Sequence, residues 1–314
     1  MTTVLTATFA DVLRAQDITV NRTGTQAVLN NHTINADSPA ELRAQLAAMI
    51  YSSYHIRHPQ DPTAPQSQVL QADAELAEKL LAALPQRTLT RTVTAEQLQP
   101  GAHPDQYVLP VDGIKVIITE DVLIRTADGA IAGVRFPSWR TRTTPGYLLT
   151  FSQQPICTGP VERIYIACDD AAQTLARWGR LLPKLAEANI GYQAKALSTR
   201  AAHPRTDAIV IYVGQADLHL ACELAVQATL ADAPAHVMTS LFTRQINPDV
   251  SMAAEPSDTR TAYRNLSFGQ HRARVLADAL IRTGTENRQL VDTWTAEATA
   301  ALIDPHQPGR NYTA

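Results

Sequence analysis

The sequence predicts an α+β fold, a helix-rich N-terminal lobe followed by a mixed sheet with packed helices, on three observations. Amphipathic helical runs dominate the first hundred residues, short β-rich runs take over from 106, and beyond them strands and helices mix without strict βα alternation. Bulk is in keeping: 314 residues, 45 % of them hydrophobic, supply one large core or two smaller ones. The boundary between lobes is expected in QPGAHPD, giving a 1–105 lobe for peptide or partner binding and a 106–314 lobe for chemistry.

In chain order, ITVNRTGTQAVLNNHTI alternates as a hairpin through Gly24. SPAELRAQLAAMIYSSYHI then opens with Ser38, Pro39 and Glu41: an N-cap, a first-turn proline and a capping-box partner ahead of an apolar-periodic run. The Pro-rich loop HPQDPTAPQ separates it from a second amphipathic helix, QVLQADAELAEKLLAAL. QYVLPV, GIKVIITE, VLIRTADGAIAGVRF and PGYLLTF read as an antiparallel meander with a turn at Asp128-Gly129. VERIYIAC is the next strand, and the helix that follows is capped by Asp169 or Asp170 and ended by Gly191. YQAKAL and DAIVIYV are strands, LHLACELAVQATLA a helix and HVMTSLF a strand. QHRARVLADALIRTG and ENRQLVDTWTAEATAALI close the chain as helices.

The net charge is −3, with an acidic excess before residue 134 and a slight basic excess after it. That imbalance is too small for a nucleic-acid footprint and suits a local anion pocket. No run approaches the roughly 18 apolar residues that span a bilayer, and no basic stretch followed by an apolar one opens the chain, so a cytoplasmic protein is expected. Cys157, Cys168 and Cys222 are odd in number and widely spaced, which fits buried thiols better than a disulfide framework or a metal site. The usual motifs for zinc proteolysis, dinucleotide binding, P-loop hydrolysis and serine hydrolysis are missing.

Four places invite chemistry. SFGQHRARVL places Ser267, His271 and Arg272 at a helix start, where free N–H groups favour an anion; the same spacing describes an ordinary helix start with solvated basic residues. LFTRQINPDVSMAAEPSD carries Thr243, Arg244 and Glu255 on a strand and its following loop, or simply on a charged surface loop. FPSWRTRTTPGYLL offers Arg140 and Arg142, equally readable as a charged hairpin. Lys195 is a lone lysine among small apolar residues in YQAKAL, either poorly hydrated or pointed by the alternation to water.

Taken in order, GYQAKAL, DAIVIYVGQAD, FTRQINPDVSMAAEP and SFGQHRARVLADAL resemble the C-terminal half of the Hop-A type effector family, first recognised among type III secreted effectors of plant pathogens. VRFPSWRTRTTPGYLL and, more weakly, IYSSYHI extend the resemblance over most of residues 45 to 285. Arg244 stands where the family's threonine is commonly followed by Lys, and NPDVSMAAE lacks the usual glycines before Ala-Glu. In peptide biosynthesis such proteins are similar to the lyase half of a split lanthipeptide or thioamitide dehydratase. A kinase-like partner phosphorylates Ser or Thr of a precursor peptide, and the Hop-A-like protein eliminates phosphate to leave dehydroalanine or dehydrobutyrine.

The resemblance therefore implies a phosphoserine/phosphothreonine lyase that demands no metal or organic cofactor, with the phosphorylated precursor and the kinase-like protein as partners. Neither nucleic acid nor membrane is among them. Such chemistry needs a base for the Cα proton and cations for the departing dianion. Lys195 is the expected base and His271 the general acid, with Tyr212 and Thr243 orienting base or phosphate. Arg140, Arg142, Arg244 and Arg272 are the expected anion pocket. The alternative expectation is a non-catalytic module that binds a phosphorylated segment or activates the kinase.

Overall fold

The computed structural model describes residues 9–14, 18–57, 73–111, 114–141 and 143–312. Helix α1 (Phe9–Arg14) precedes an antiparallel meander of β1 (Ile18–Val20), β2 (Gln26–Leu29) and β3 (His32–Asn35). Helix α2 (Pro39–Ile50) then runs on into a π-helical turn, Tyr51–Ile56. Next come α3 (Ala74–Ala82), β4 (Thr88–Thr92), β5 (Gln99–Pro100), β6 (Gln106–Val111), β7 (Ile114–Thr119), β8 (Leu123–Arg125) and β9 (Ile131–Pro137). The rest of the chain comprises β10 (Trp139–Arg140), β11 (Tyr147–Phe151), β12 (Val161–Cys168), α4 (Ala171–Glu187), β13 (Tyr192–Leu197) and β14 (Arg205–Gly214). It closes with α5 (Leu218–Thr229), β15 (Arg244–Gln245), β16 (Val250–Ala254), α6 (Phe268–Glu286) and α7 (Leu290–Ala300). The fold is α+β.

A seven-stranded sheet in the order β10-β11-β13-β14-β12-β16-β15, antiparallel at every pairing, organises the molecule. Because side chains alternate across a strand, β12 sends Ile164 and Ile166 to one face and Arg163 and Tyr165 to the other. The first pair joins a core with Trp178, Leu181, Leu182 and Leu185 of α4 and Ala221 and Ala225 of α5. On the opposite face Tyr165, Val210 and Ala253 pack with α6, α2 and α7 through Phe268, Leu276, Leu46 and Trp294. Fully burying each such Leu or Phe stabilises the fold by about 1.5–3 kcal/mol, so both sheet faces are firmly clamped. Two small sheets, β4-β9-β8 and β5-β6-β7, pack over Leu149 and Phe151 at one end. The boundary expected in QPGAHPD falls within the β5–β6 pairing, and α2 shares its core with α6.

Helix starts follow the expected capping chemistry. Ser38 Oγ accepts from Glu41 N (3.2 Å) with Pro39 in the first turn, and Asp170 accepts from Gln173 N (2.7 Å). Two expectations fail. HVMTSLF is no strand: His236 N and Val237 N donate to the Asp169 carboxylate (2.8 and 3.1 Å) and Leu241 N donates to Tyr54 O (2.9 Å), which draws these N–H groups away from a ladder. Cys168 and Cys222 are buried, but Cys157 is exposed beside Asp217, its Sγ donating to the carboxylate (3.2 Å). The Pro-rich loop lies outside the described residues. Among those described, no helix is long and apolar enough to cross a membrane.

Candidate active site

The sheet register builds the site. Leu149, Lys195, Val210, Tyr165 and Ser251 form one row across five strands, each directly opposite the next. Val210 is short, whereas its neighbours Lys195 and Tyr165 are long, so the row leaves a hollow between them. One step along, Arg163 stands opposite Tyr212 on the same face, its guanidinium carbon 5.0 Å from the Tyr212 ring centroid. The start of α6, the π-helical turn and the Thr144-Pro145 turn wall the hollow into a cavity of about 290 Å³. That volume suits one phosphorylated side chain better than a drug-sized ligand.

Three cations and one carboxylate line it: Lys195, Arg163, Arg205 and Asp207. Arg205 and Asp207 sit two apart on β14 and so share a face, where they pair through two hydrogen bonds (2.7 and 3.0 Å). Burial pushes the Asp207 carboxyl up, but the Arg205 charge and hydrogen bonds outweigh it and hold the group below its usual range. Arg205 also donates to Tyr51 Oη (3.3 Å), and Tyr147 Oη donates to Asp207 O (3.2 Å). Lys195 Nζ stands 4.7 Å from the Tyr147 ring centroid. Burial raises the pKa values of Tyr51, Tyr147 and Tyr165, so all three phenols are neutral donors at physiological pH. The Tyr165 hydroxyl, in a residue 3 % exposed, has no hydrogen-bond partner among the described residues, and the Arg163 charge acts on it.

The π-helical turn gives the cavity Tyr51, Ser52, His55 and Ile56. Such turns recur at functional sites because the wider ring re-aims side chains. His55 is buried, and burial pushes its imidazole down to about 4, leaving it neutral; its Nδ1 pairs with Ser240 Oγ (2.9 Å). The ring lies against the first turn of α6, where a Cβ on Gly269 would fall 1.9 Å from His55 Cδ2. Only glycine permits this approach. Ser267 caps α6 in a reciprocal box with Gln270: Ser267 Oγ accepts from Gln270 N (3.4 Å) and Gln270 Oε1 accepts from Ser267 N (3.0 Å). Ser267, Gly269 and Gln270, from the cap and first turn of the helix, line the cavity.

Of the residues singled out from the sequence, Lys195 and Ser267 line this cavity. Tyr212 and Glu255 line an adjoining depression that shares Arg163 as its divide, and the Glu255 carboxylate grips Arg163 Nε and Nη2 (the latter at 2.6 Å). The structure does not bring the expected arginines together. Arg140 lies on β10 and Arg244 on β15, opposite edges of the sheet and six strand spacings apart, roughly 29 Å. Arg140 donates to Pro137 O and Trp139 O (2.8 and 2.7 Å), while Arg244 is exposed against Met252 Sδ (2.7 Å). Thr243 turns its hydroxyl to Ser240 O (2.9 Å), and Arg142 lies outside the described residues. His271 and Arg272 are buried beneath the chain's end and do not line the cavity; both ring nitrogens of His271 are engaged, by Asp258 (3.0 Å) and Arg272 (2.8 Å). Burial pushes His271 down to about 4 and Arg272 down to about 9.

The cavity's own cations, Arg163 and Arg205, were not singled out from sequence, nor were Asp207, Tyr51, His55, Tyr147 and Tyr165. The available signal was charge inside otherwise apolar strands: R-x-Y in VERIYIAC and R-x-D at the head of RTDAIVIYV. Among the described residues, no three His, Cys, Asp or Glu side chains group so as to hold a metal ion.

The HopA1 effector protein family matches residues 140–310, a span holding Lys195, Arg163, Arg205, Asp207 and the start of α6. Two solved effector structures from Pseudomonas syringae, of pv. tomato strain DC3000 and pv. syringae strain 61, are similar, each 15 % identical with a TM-score of 0.47. The matches cover 85 % and 86 % of this chain and 89 % and 96 % of theirs. No curated protein matches the chain. With more than half of its length matched, the chain belongs to the HopA1 effector protein family.

Proposed function

We propose that the protein is a lyase that eliminates phosphate from phosphoserine or phosphothreonine in a ribosomally made precursor peptide, after a kinase-like partner has installed it. The observation that carries this reading is the convergence of Lys195, Arg163 and Arg205 on a cavity the size of one phosphorylated side chain. Arg163 and Arg205 clamp the phosphate oxygens beside the start of α6. Lys195 takes the Cα proton. The electron pair left on Cα forms the Cα=Cβ bond as the Cβ–O bond breaks, and phosphate departs with that oxygen. Tyr165, a neutral phenol in the cavity, donates a hydrogen bond to the departing oxygen. The N-terminal segment contributes through the π-helical turn, which covers the cavity and brings the peptide-facing Tyr51 and Ser52.

The reading is tested by mixing the protein with a synthetic phosphothreonine peptide and following its mass. Loss of phosphoric acid by wild type and not by Lys195→Ala supports it. Saturable binding with the phosphate retained identifies a phosphopeptide-binding module and overturns the lyase.

A further inference from the structure

Behind the cavity wall, the first turn of α6 meets the C-terminal tail. Arg272, fully buried, donates from Nε to Pro308 O (2.8 Å) and from Nη2 to Asn311 Oδ1 (3.3 Å). Its Nη1 donates to His271 Nδ1 (2.8 Å), so Nδ1 is the bare nitrogen and Nε2 carries the proton given to Asp258 Oδ2 (3.0 Å). That chain of bonds fixes the guanidinium plane. Asn311 passes the constraint on: its Nδ2 donates to Glu255 O (2.7 Å), while Gly309 O accepts from Ala254 N (2.8 Å) and Glu255 N donates to Val161 O (3.1 Å).

Glu255 is thus pinned through its backbone, and its carboxylate grips Arg163 at two points. The pinning matters because the Glu255 side chain is 42 % exposed, with little packing to choose its rotamer. We propose that the C-terminal tail is a positioning element for the cavity: Asn311 bridges Arg272 to the Glu255 backbone and so holds the carboxylate that fixes the Arg163 guanidinium at the cavity wall. The consequence for turnover rests on the lyase reading; the geometric link does not.

The substitution Asn311→Asp separates this role from mere stabilisation. The new carboxylate still accepts from Arg272, supplying a buried cation with a counter-ion, but presents an oxygen to Glu255 O in place of the donor. The expected result is a Tm within about 3 °C of wild type. In wild type the two Nη nitrogens of Arg163 are expected to give separate NMR signals, because the two-point grip stops rotation about Nε–Cζ; in Asn311→Asp they are expected to merge. With the phosphothreonine peptide, KM rises about tenfold at nearly constant kcat, as for one weakened charged hydrogen bond.

Separate Arg163 signals persisting in folded Asn311→Asp overturn the proposal. Should that variant fail to fold, Asn311→Ala, which lacks both bonds without adding charge, takes its place with the same expected merging. Failure of both to fold also overturns the proposal, since a tail that only stabilises the fold gives that result. A wild type that turns over no peptide sinks the lyase reading alone, because the Arg163 signals still decide the positioning role.

Discussion

Lys195 Nζ stands 4.7 Å from the centroid of the Tyr147 ring, and the Arg205 guanidinium carbon 5.8 Å from the same centroid. One aromatic ring therefore gathers two cations from adjacent strands, and the ring is itself tethered through its hydroxyl to the backbone of Asp207. The amine is held by the ring and the surrounding wall, with no carboxylate ion pair at Lys195 among the described residues. This leaves it available to a substrate.

Replacing Lys195 by Ala is expected to lower elimination by about 10³-fold, the scale of losing a general base. Phosphopeptide affinity, carried mainly by Arg163 and Arg205, falls by less than about tenfold. Single-turnover kinetics together with calorimetric binding check both; unchanged turnover removes Lys195 from the mechanism.

The two arginines differ in what they cost the fold. Arg205→Ala strands the buried Asp207 carboxylate and is expected to destabilise the protein by about 3–5 kcal/mol, most of it recovered by adding Asp207→Asn. Arg163→Gln frees a Glu255 carboxylate that already meets solvent, so stability changes little while phosphopeptide affinity falls at least about tenfold. Denaturant melts paired with binding isotherms separate these effects.

Acid should weaken the fold in a defined window. His55 and His271 have folded pKa values of about 4, below the ordinary 6.5, so the unfolded chain binds more protons between those limits. Stability is complete above about pH 6.5 and declines as pH falls towards 4, by at most about 3 kcal/mol for each histidine. Denaturation midpoints measured across that range test the slope, and NMR titration of the two imidazoles tests its source.

Gly269→Ala drives a methyl into the His55 ring. The expected cost is about 1–3 kcal/mol together with lost activity, because the ring must move into the cavity. Adding His55→Ala relieves the clash, so the double variant is more stable than the sum of the single losses, a coupling that equilibrium unfolding reads directly.

Local chemistry made much of the fold legible. Ser38-Pro39-x-Glu41 announced α2, and the apolar runs of β12, β13 and β14 announced the central strands. Lys195 was legible because a lysine between two alanines in a strand is unusual. Its partners were not, since Arg163, Arg205 and Asp207 converge only once β12, β13 and β14 pair in register. The reach of Arg140 and Arg244 was misjudged for the same cause, because sheet order, which no local pattern contains, puts them on opposite edges. The S-x-x-Q capping box at Ser267 was readable, whereas the burial of His271 and Arg272 depends on a tail some forty residues further along.

The most direct measurement is the mass of a synthetic phosphothreonine peptide after incubation with the protein. The lyase reading predicts conversion to the dehydrobutyrine peptide with release of inorganic phosphate, abolished by Lys195→Ala. A peptide that binds saturably to the Arg163–Arg205 cavity and keeps its phosphate contradicts it.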